Sequence, residues 1–203
     1  VPADHRYGNM IFSGEFSSDG QRIITSLSEY HTTKMWDLST GECRRTFCSR
    51  LQRRMDRASL AMRTLQVLTW HFLEESPTLW HCDTPSTLHG HRNAITSAQF
   101  SRDGFSIVTS SADWTAKVWS TATSECQLTL RGHSNALYIA ASSFDGLRIV
   151  TGGMDAVGRI WDSSSAECLQ KLCGHGLCIF YAEFSQDGSK VVTTSADNTA
   201  KIW

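Results

Sequence analysis

The 203-residue sequence has few prolines, no Cys-x-x-Cys pair and almost no net charge, and each absence excludes a class of protein. Three prolines and a charged fraction of 19% argue against a disordered chain. A net charge of −1 gives no overall field that would draw the chain to nucleic acid or to an anionic membrane. The seven cysteines are odd in number, which indicates a reducing compartment rather than a disulfide framework. We therefore expect an intracellular, cytoplasmic protein with no membrane association, since no apolar run approaches the roughly 18 residues of a membrane span.

What the sequence has instead is a repeat of 42 residues. Three kinds of marker recur at this interval: Gly-His pairs, Asp-Gly pairs and tryptophans. The Gly-His pairs begin at 90, 132 and 174, the Asp-Gly pairs begin at 103, 145 and 187, and the tryptophans are Trp119, Trp161 and Trp203. Independent markers that share one register predict a structural unit repeated along the chain.

Each unit contains four short segments typical of β-strands. In the unit 88–130, residues 94–100 alternate between apolar and polar side chains, and the tight turn Asp103-Gly104 follows. Segments 106–111, 115–119 and 126–130 complete the unit. Four antiparallel strands in about 42 residues predict one blade of a β-propeller, which buries its faces against neighbouring blades.

On these markers the chain resembles the WD40-repeat β-propeller family. Trp36-Asp37 and Trp161-Asp162 are copies of the dipeptide that gives the family its name. The resemblance implies an all-β fold of four-stranded antiparallel blades, with 1–203 as one propeller segment of four to five units. The repeats are 9–47, 88–130, 131–172 and 173–203. Because family propellers most often have about seven blades, we expect an incomplete propeller, a fragment of a larger one.

The family also implies a hydrogen-bonded tetrad of His, Thr, Asp and Trp in each blade. The residues at these positions are His91, Thr109, Asp113 and Trp119, then His133, Thr151, Asp155 and Trp161, then His175, Thr193, Asp197 and Trp203. A His, a hydroxyl and an Asp also suggest a catalytic triad, but an enzyme needs one such site and this set recurs three times. We therefore expect a structural role for the tetrads, no catalytic residues, and no cofactor or metal.

The first repeat is expected to have an incomplete tetrad. Thr25 and Trp36 are present, but eleven residues separate them instead of ten. Glu29 stands near the Asp position, and His5 is two residues out of register with the histidines of the later repeats.

Residues 48–87 interrupt the repeat. They contain no Gly-His pair, no Asp-Gly pair and no Trp at the expected place, and half of the chain's 14 arginines lie at 44–63. Three explanations stay open: a degenerate blade, an insertion, or a segment translated in a shifted frame, which the nearly preserved length favours. Good helix formers without Gly or Pro predict a basic helix over Leu51 to Arg63.

We expect a non-enzymatic scaffold that presents loop faces to partner proteins or peptides. The resemblance places partners on the loops before the first strand and between the second and third strands of each blade. Four residues there, Trp114, Tyr138, Met154 and Phe180, form an apolar set of the kind that anchors protein interfaces, here called the partner patch.

Two alternatives to the scaffold stay open. One is contact of the arginine-rich segment 44–63 with nucleic acid or phosphate, which is less favoured because the segment contains a single aromatic residue, Phe47, and the next is Trp70. The other is a gene fragment without independent function.

An incomplete propeller would expose strand edges and apolar faces at both ends. We therefore expect self-association through open blade edges. A closed ring, with residues 1–8 paired alongside Thr199–Trp203, would contradict this expectation.

Overall fold

The chain is built from β-strands alone in every part that the structure describes. The structure, a computed structural model, describes residues 11–16, 21–27, 32–48, 57–61, 66–70, 76–81 and 84–203. In these residues 19 strands form five antiparallel sheets, which confirms the predicted all-β class and its four-stranded blades. The described elements include no helix that could cross a membrane.

The first two sheets cover the N-terminal part of the described residues. Sheet 1 contains β1 (Ile11–Phe16), β2 (Arg22–Leu27), β3 (Thr32–Asp37) and β4 (Cys43–Cys48). Sheet 2 contains β5 (Arg57–Ala61), β6 (Gln66–Trp70), β7 (Thr78–His81) and β8 (Thr84–Thr87). Pro85 lies in β8, the edge strand of sheet 2. Proline has no backbone N–H to donate, and an edge strand tolerates this because only one of its sides is paired with another strand.

The sheets of the three regular repeats follow. Sheet 3 contains β9 (Ile95–Phe100), β10 (Ser106–Ser111), β11 (Ala116–Ser120) and β12 (Cys126–Leu130). Sheet 4 contains β13 (Leu137–Ser142), β14 (Arg148–Gly153), β15 (Val157–Asp162) and β16 (Cys168–Cys173). Sheet 5 contains three strands, β17 (Ile179–Phe184), β18 (Val191–Ser195) and β19 (Ala200–Ile202).

Sheet 2 occupies the segment whose sequence lacks the repeat markers. The basic helix predicted there is wrong for Arg57–Ala61, which forms β5 and pairs with β6. Strand pairing and packing against the neighbouring sheets override the local helix propensity of this segment. Residues 51–56 and 62–63 lie outside the described residues. The presence of this sheet does not distinguish a degenerate blade, an insertion and a segment translated in a shifted frame, and all three stay predictions.

Consecutive strands in each sheet are neighbours, so every sheet is a meander. The turn between β9 and β10 shows why Asp-Gly recurs. Gly104 has a φ of 77° and donates its N–H to the Ser101 carbonyl at 2.9 Å, while Asp103 accepts the Ser101 hydroxyl at 2.7 Å. Such a positive φ costs glycine little, and the aspartate fixes the loop by local hydrogen bonds.

Sheets 3 and 4 each bury both faces, because apolar side chains alternate along their strands. We call the side that carries the repeat tryptophan the back face and the opposite side the front face. The front face of sheet 3 packs on the back face of sheet 4. Sheet 3 contributes Val108, Ala116, Val118 and Leu130, and sheet 4 contributes Leu137, Ala140, Ile149 and Trp161. The front face of sheet 4 packs in the same way on the back face of sheet 5. Full burial of one such aliphatic side chain is worth about 1.5–3 kcal/mol, so these interfaces hold the repeats together.

The sheets form an open arc in chain order. Among the described strands, extensive packing runs from sheet 1 to 2, from 2 to 3, from 3 to 4 and from 4 to 5. This arrangement agrees with the incomplete propeller expected from the sequence. Pairing of residues 1–8 beside Thr199–Trp203, which would close a ring, concerns a segment outside the described residues.

Candidate functional site

The structure brings the twelve tetrad residues together as three separate hydrogen-bonded sets. In sheet 4, His133 Nδ1 lies 2.8 Å from Asp155 Oδ2, and His133 Nε2 lies 2.7 Å from Thr151 Oγ1. Trp161 Nε1 donates to the same Thr151 oxygen at 2.8 Å. The sets His91–Thr109–Asp113–Trp119 and His175–Thr193–Asp197–Trp203 have the same contacts at 2.7–2.9 Å.

Each tetrad satisfies all of its polar hydrogens when its histidine is neutral. The indole N–H donates to the threonine oxygen, the threonine O–H donates to Nε2, and the Nδ1–H donates to the carboxylate. A second proton, on Nε2, would turn that atom into a donor and leave the threonine O–H without its acceptor. The geometry therefore favours the neutral imidazole.

The pKa values of one tetrad histidine, His133, and of two tetrad aspartates, Asp113 and Asp197, are lowered. Burial lowers the pKa of His133 below its ordinary 6.5, outweighing the attraction of Asp155. Burial alone would raise the pKa of Asp113, but hydrogen bonds from His91, Thr115 and the Arg92 N–H outweigh it and hold that pKa well below 3.8. The Thr199 hydroxyl, with the Gly176 N–H and His175, likewise lowers the pKa of Asp197.

We expect acid to destabilise the protein in two stages. The unfolded chain protonates its histidines near pH 6.5 while folded His133 stays neutral, so stability falls as the pH drops below 6.5. The lowered pKa values of Asp113 and Asp197 add stability that is present above pH 3.8 and lost as the pH falls through their folded values. Urea midpoints at about pH 7.5, 5.5 and 2 measure both stages; an unchanged midpoint between the first two would contradict the role of His133.

The tetrads resemble a nucleophile, a base and an acid in a row, but their hydroxyls have no route to a substrate. Thr109, Thr151 and Thr193 have no exposed surface. Each hydroxyl also accepts an indole N–H. The arrangement thus ties strands and loops of one sheet together, each bond contributing roughly 1 kcal/mol net and more where the carboxylate takes part.

Sheet 1 keeps part of this arrangement. Trp36 Nε1 donates to Thr25 Oγ1 at 2.8 Å, and both residues are partly buried. His5 and Glu29, the residues nearest to the other tetrad positions in the sequence, lie outside the described residues.

The residues of the partner patch lie at the end of the sheets where the second and third strands are joined. The residue before each turn aspartate donates its N–H across to the segment before the first strand: Ala112 to Ala94, Met154 to Ala136 and Ala196 to Cys178, at 2.8–2.9 Å. These bonds hold the two kinds of loop side by side. Trp114 and Met154, in these turns, therefore lie at the same end of the sheets as Tyr138 and Phe180, near the start of β13 and β17.

Two aromatic residues of the patch come together across a sheet boundary. The rings of Tyr138 in β13 and Phe180 in β17 have centroids 5.4 Å apart and are tilted by 40°. Phe180, Met154 and Leu177 are each about half exposed. Sequence reasoning missed Leu177, because its position in the repeat is taken by Asn93 and Asn135 in the other two units.

Trp114 combines exposure with an unfavourable backbone. It is 50% exposed and has a φ of 70°, at a turn position held by Ala156 and Asn198 in the next repeats. Large side chains disfavour this left-handed region, whereas asparagine tolerates it. Backbone preference therefore does not explain a tryptophan here.

The opposite end of the sheets carries a second apolar set that the sequence analysis did not identify. Phe105, Phe144 and Leu147 are exposed in the turns between first and second strands. The Arg102 guanidinium covers the Phe144 ring at 3.9 Å from its centroid. The sequence could have predicted that Phe105 and Leu147 are exposed. Each directly follows an Asp-Gly turn, where polar residues are usual.

The arginine-rich segment and the two cysteines that flank His175, Cys173 and Cys178, give no second site in the described residues. Arg44 forms an ion pair with Asp37 at 3.1 Å, whereas Arg50, Arg53, Arg54 and Arg63 lie outside the described residues. Both ring nitrogens of His175, between Cys173 and Cys178, are engaged by Asp197 and Thr193. No group of three His, Cys, Asp or Glu side chains in the described part of the chain could hold a metal ion.

Comparison with curated proteins finds relatives that match about half of this chain. A target of rapamycin complex subunit, LST8 of Saccharomyces cerevisiae, is 31% identical over 48% of this chain and 33% of its own length. Autophagy-related protein 16 of Arabidopsis thaliana is 31% identical over 55% of this chain and 22% of its own length. The DENN domain and WD repeat-containing protein SCD1 of Arabidopsis thaliana is 28% identical over 53% of this chain and 9% of its own length. The matches thus span a third or less of each relative.

A family model matches more of the chain. The model described as "WD domain, G-beta repeat" matches residues 82–120, 124–162 and 166–203, which together are more than half of the sequence. These segments contain the three tetrads and sheets 3, 4 and 5. The chain belongs to the WD40 repeat family.

Proposed function

We propose that the chain is a non-enzymatic scaffold and that the partner patch binds protein or peptide partners. The observation that carries the proposal is Trp114, a half-exposed tryptophan held at a φ of 70°. Residues held in sparsely populated backbone regions cluster at active sites and ligand clamps. Tryptophan and tyrosine are also the side chains that most often dominate binding energy in protein interfaces.

The tetrads support a scaffold because they hold these loops in place. Asp113 accepts the Thr115 hydroxyl at 2.6 Å and the Thr115 N–H at 2.9 Å, which fixes the turn that carries Trp114. The name of the yeast relative, a subunit of a complex, is in keeping with this role. A rigid sheet with loops at its end suits recognition of another protein better than it suits specific chemistry.

Substitution of Trp114 separates binding from stability. Asn198 shows that asparagine fits this turn position, so W114N should leave the free energy of unfolding unchanged or raise it by up to about 1 kcal/mol. If the patch binds a partner, the same change should weaken capture of that partner at least about 30-fold, the effect of a hot-spot tryptophan worth about 2 kcal/mol.

The experiment is quantitative affinity capture with wild-type protein, W114N, and F105S as the matched control. Phe105 is equally apolar and exposed, but it lies at the opposite end of the sheets. Partners that W114N loses and F105S keeps would support the proposal. Identical capture by all three proteins would overturn it, and losses caused by F105S alone would move the interface to the other end.

A further inference from the structure

Among the side chains that the structure describes, one buried polar atom lacks a hydrogen-bond partner, and it belongs to Arg159. The atom is Nε of the guanidinium, which extends from β15 of sheet 4. The guanidinium has one polar contact, between Nη1 and Cys168 Sγ at 3.9 Å, and a thiol sulfur is a weak acceptor. Buried polar atoms in proteins are almost always paired, so an exception marks a place where an ion or a water molecule is expected.

Two more cationic residues lie beside this arginine. Lys171 in the edge strand β16 is its direct cross-strand partner. Opposed residues have Cβ atoms about 4.5–5.5 Å apart, and like charges at such positions destabilise a sheet. Arg131 precedes Gly132, where a Cβ atom would lie 3.8 Å from Arg159 Nη1. Lys171 and Arg131 are exposed, so a dissolved anion can approach this cationic group.

Carboxylates do not neutralise the cationic group. Among the described residues, none of the ion pairs includes Arg131, Arg159 or Lys171. Burial lowers the pKa of His133, and the charge of Arg159 lowers it further, so the field of the guanidinium reaches the neighbouring tetrad. A group of cations without a counter-charge favours binding of an anion.

The other sheets show that the repeat does not require such a group. The same cross-strand position pairs Lys117 with Thr129 in sheet 3 and Lys34 with Thr46 in sheet 1. Lys117 Nζ donates to the Thr129 hydroxyl at 2.9 Å, so that cation faces an acceptor. Sheet 4 has a cation at both positions. Departures from a regular pattern that cost stability are expected at functional sites.

We propose that Arg159 and Lys171, with Arg131 beside them, bind a phosphate group. A guanidinium presents a planar set of N–H donors that matches phosphate oxygens, and an ammonium adds a point charge. A phosphate group carries about −1.5 to −2 charges at pH 7, so it offsets more of the three positive charges than a carboxylate does. Two sources can supply it, free inorganic phosphate and a phosphorylated side chain of another protein, and the experiment separates them.

Substitutions that restore the residues of the other sheets test the site. K171T introduces the threonine found in sheets 1 and 3, and R159K introduces their lysine. K190T makes the same change of charge at an exposed lysine between β17 and β18, outside the cationic group, and is the matched control. Circular dichroism of each variant checks that the sheets are retained.

Titration calorimetry with sodium phosphate at constant ionic strength and about pH 7.5, where phosphate is mostly dianionic, measures binding. We expect wild type and K190T to bind phosphate in the millimolar range, and K171T and R159K to bind it at least about tenfold more weakly. In urea unfolding at the same ionic strength, phosphate should raise the midpoints of wild type and K190T more than that of K171T.

The tripeptide Gly-phosphoserine-Gly, titrated in parallel, separates the two sources of the phosphate group. Tighter binding of the peptide than of inorganic phosphate assigns the site to a phosphorylated side chain, and equal or weaker binding assigns it to free phosphate. Three results would overturn the proposal: no binding of either ligand by wild type, unchanged affinity in both K171T and R159K, or acetate bound as tightly as phosphate. The measurement needs no partner protein, so its outcome is independent of the partner patch.

Discussion

Replacement of Trp161 by alanine should lower the free energy of unfolding by about 3–5 kcal/mol. Trp161 is 1% exposed and packs between sheets 3 and 4 against Val108, Val118 and Leu130. The change removes this packing, opens a cavity and takes away the indole N–H that binds Thr151. Urea unfolding followed by far-ultraviolet circular dichroism measures the loss.

Trp36 provides the matched control, because it occupies the same strand position in sheet 1. Its N–H makes the same bond to a threonine, Thr25, but its face of the sheet is not covered by another sheet in the described residues. We expect W36A in dilute protein to cost less than half as much as W161A. Equal losses would contradict the view that packing between consecutive sheets provides most of the stability of a repeat.

Replacement of Thr151 by valine should cost about 2–4 kcal/mol, although the two side chains have nearly the same shape. The hydroxyl is buried and serves two partners, His133 Nε2 and Trp161 Nε1. T151V leaves both nitrogens buried without a partner, and each such group costs about 1–3 kcal/mol.

Thr25 in sheet 1 again gives the comparison. In the described residues its hydroxyl is bonded to Trp36, and both side chains are partly buried, so water can replace the lost bond. We expect T25V to cost about 1 kcal/mol or less, measured by the same urea unfolding. A T151V protein as stable as wild type would show that the tetrad is not a stabilising network.

The repeat spacing was enough to predict the fold of residues 88–203. Asp-Gly turns, Gly-His pairs and tryptophans at one interval leave little choice of strand arrangement, and the all-β blades and the family are confirmed. The resemblance to the family named the twelve tetrad residues that the structure brings within hydrogen-bonding distance. This was possible because partners 10, 18 and 22 residues apart lie in the same unit.

Sheet 2 could not be predicted in the same way. The segment 48–87 contains no glycine and no Asp-Gly turn, so its local sequence favours a helix over Arg57–Ala61. What makes this segment a strand is β6 beside it and the packing of β5 and β6 between sheets 1 and 3. Such contacts between distant residues have no short-range signal in one sequence.

The candidate site was predictable only in part, for a reason that concerns backbone conformation. The repeat placed Trp114 in a turn, but the positive φ at this position is hidden because Trp114 and Ala156 are not residues that favour it. Contact between Tyr138 and Phe180 joins two different units, and the period within one unit does not show which rings meet across a boundary.

Hydrogen–deuterium exchange of the protein with a captured partner tests the interaction scaffold most directly. Binding through the partner patch should slow exchange at 112–115, 136–138, 154–156 and 177–180, the loops that carry or adjoin its four residues. The turns at 103–105 and 145–147, at the opposite end of the sheets, should exchange as fast as in the free protein. Protection of those turns, with unchanged exchange around Trp114 and Phe180, would contradict the proposed scaffold surface.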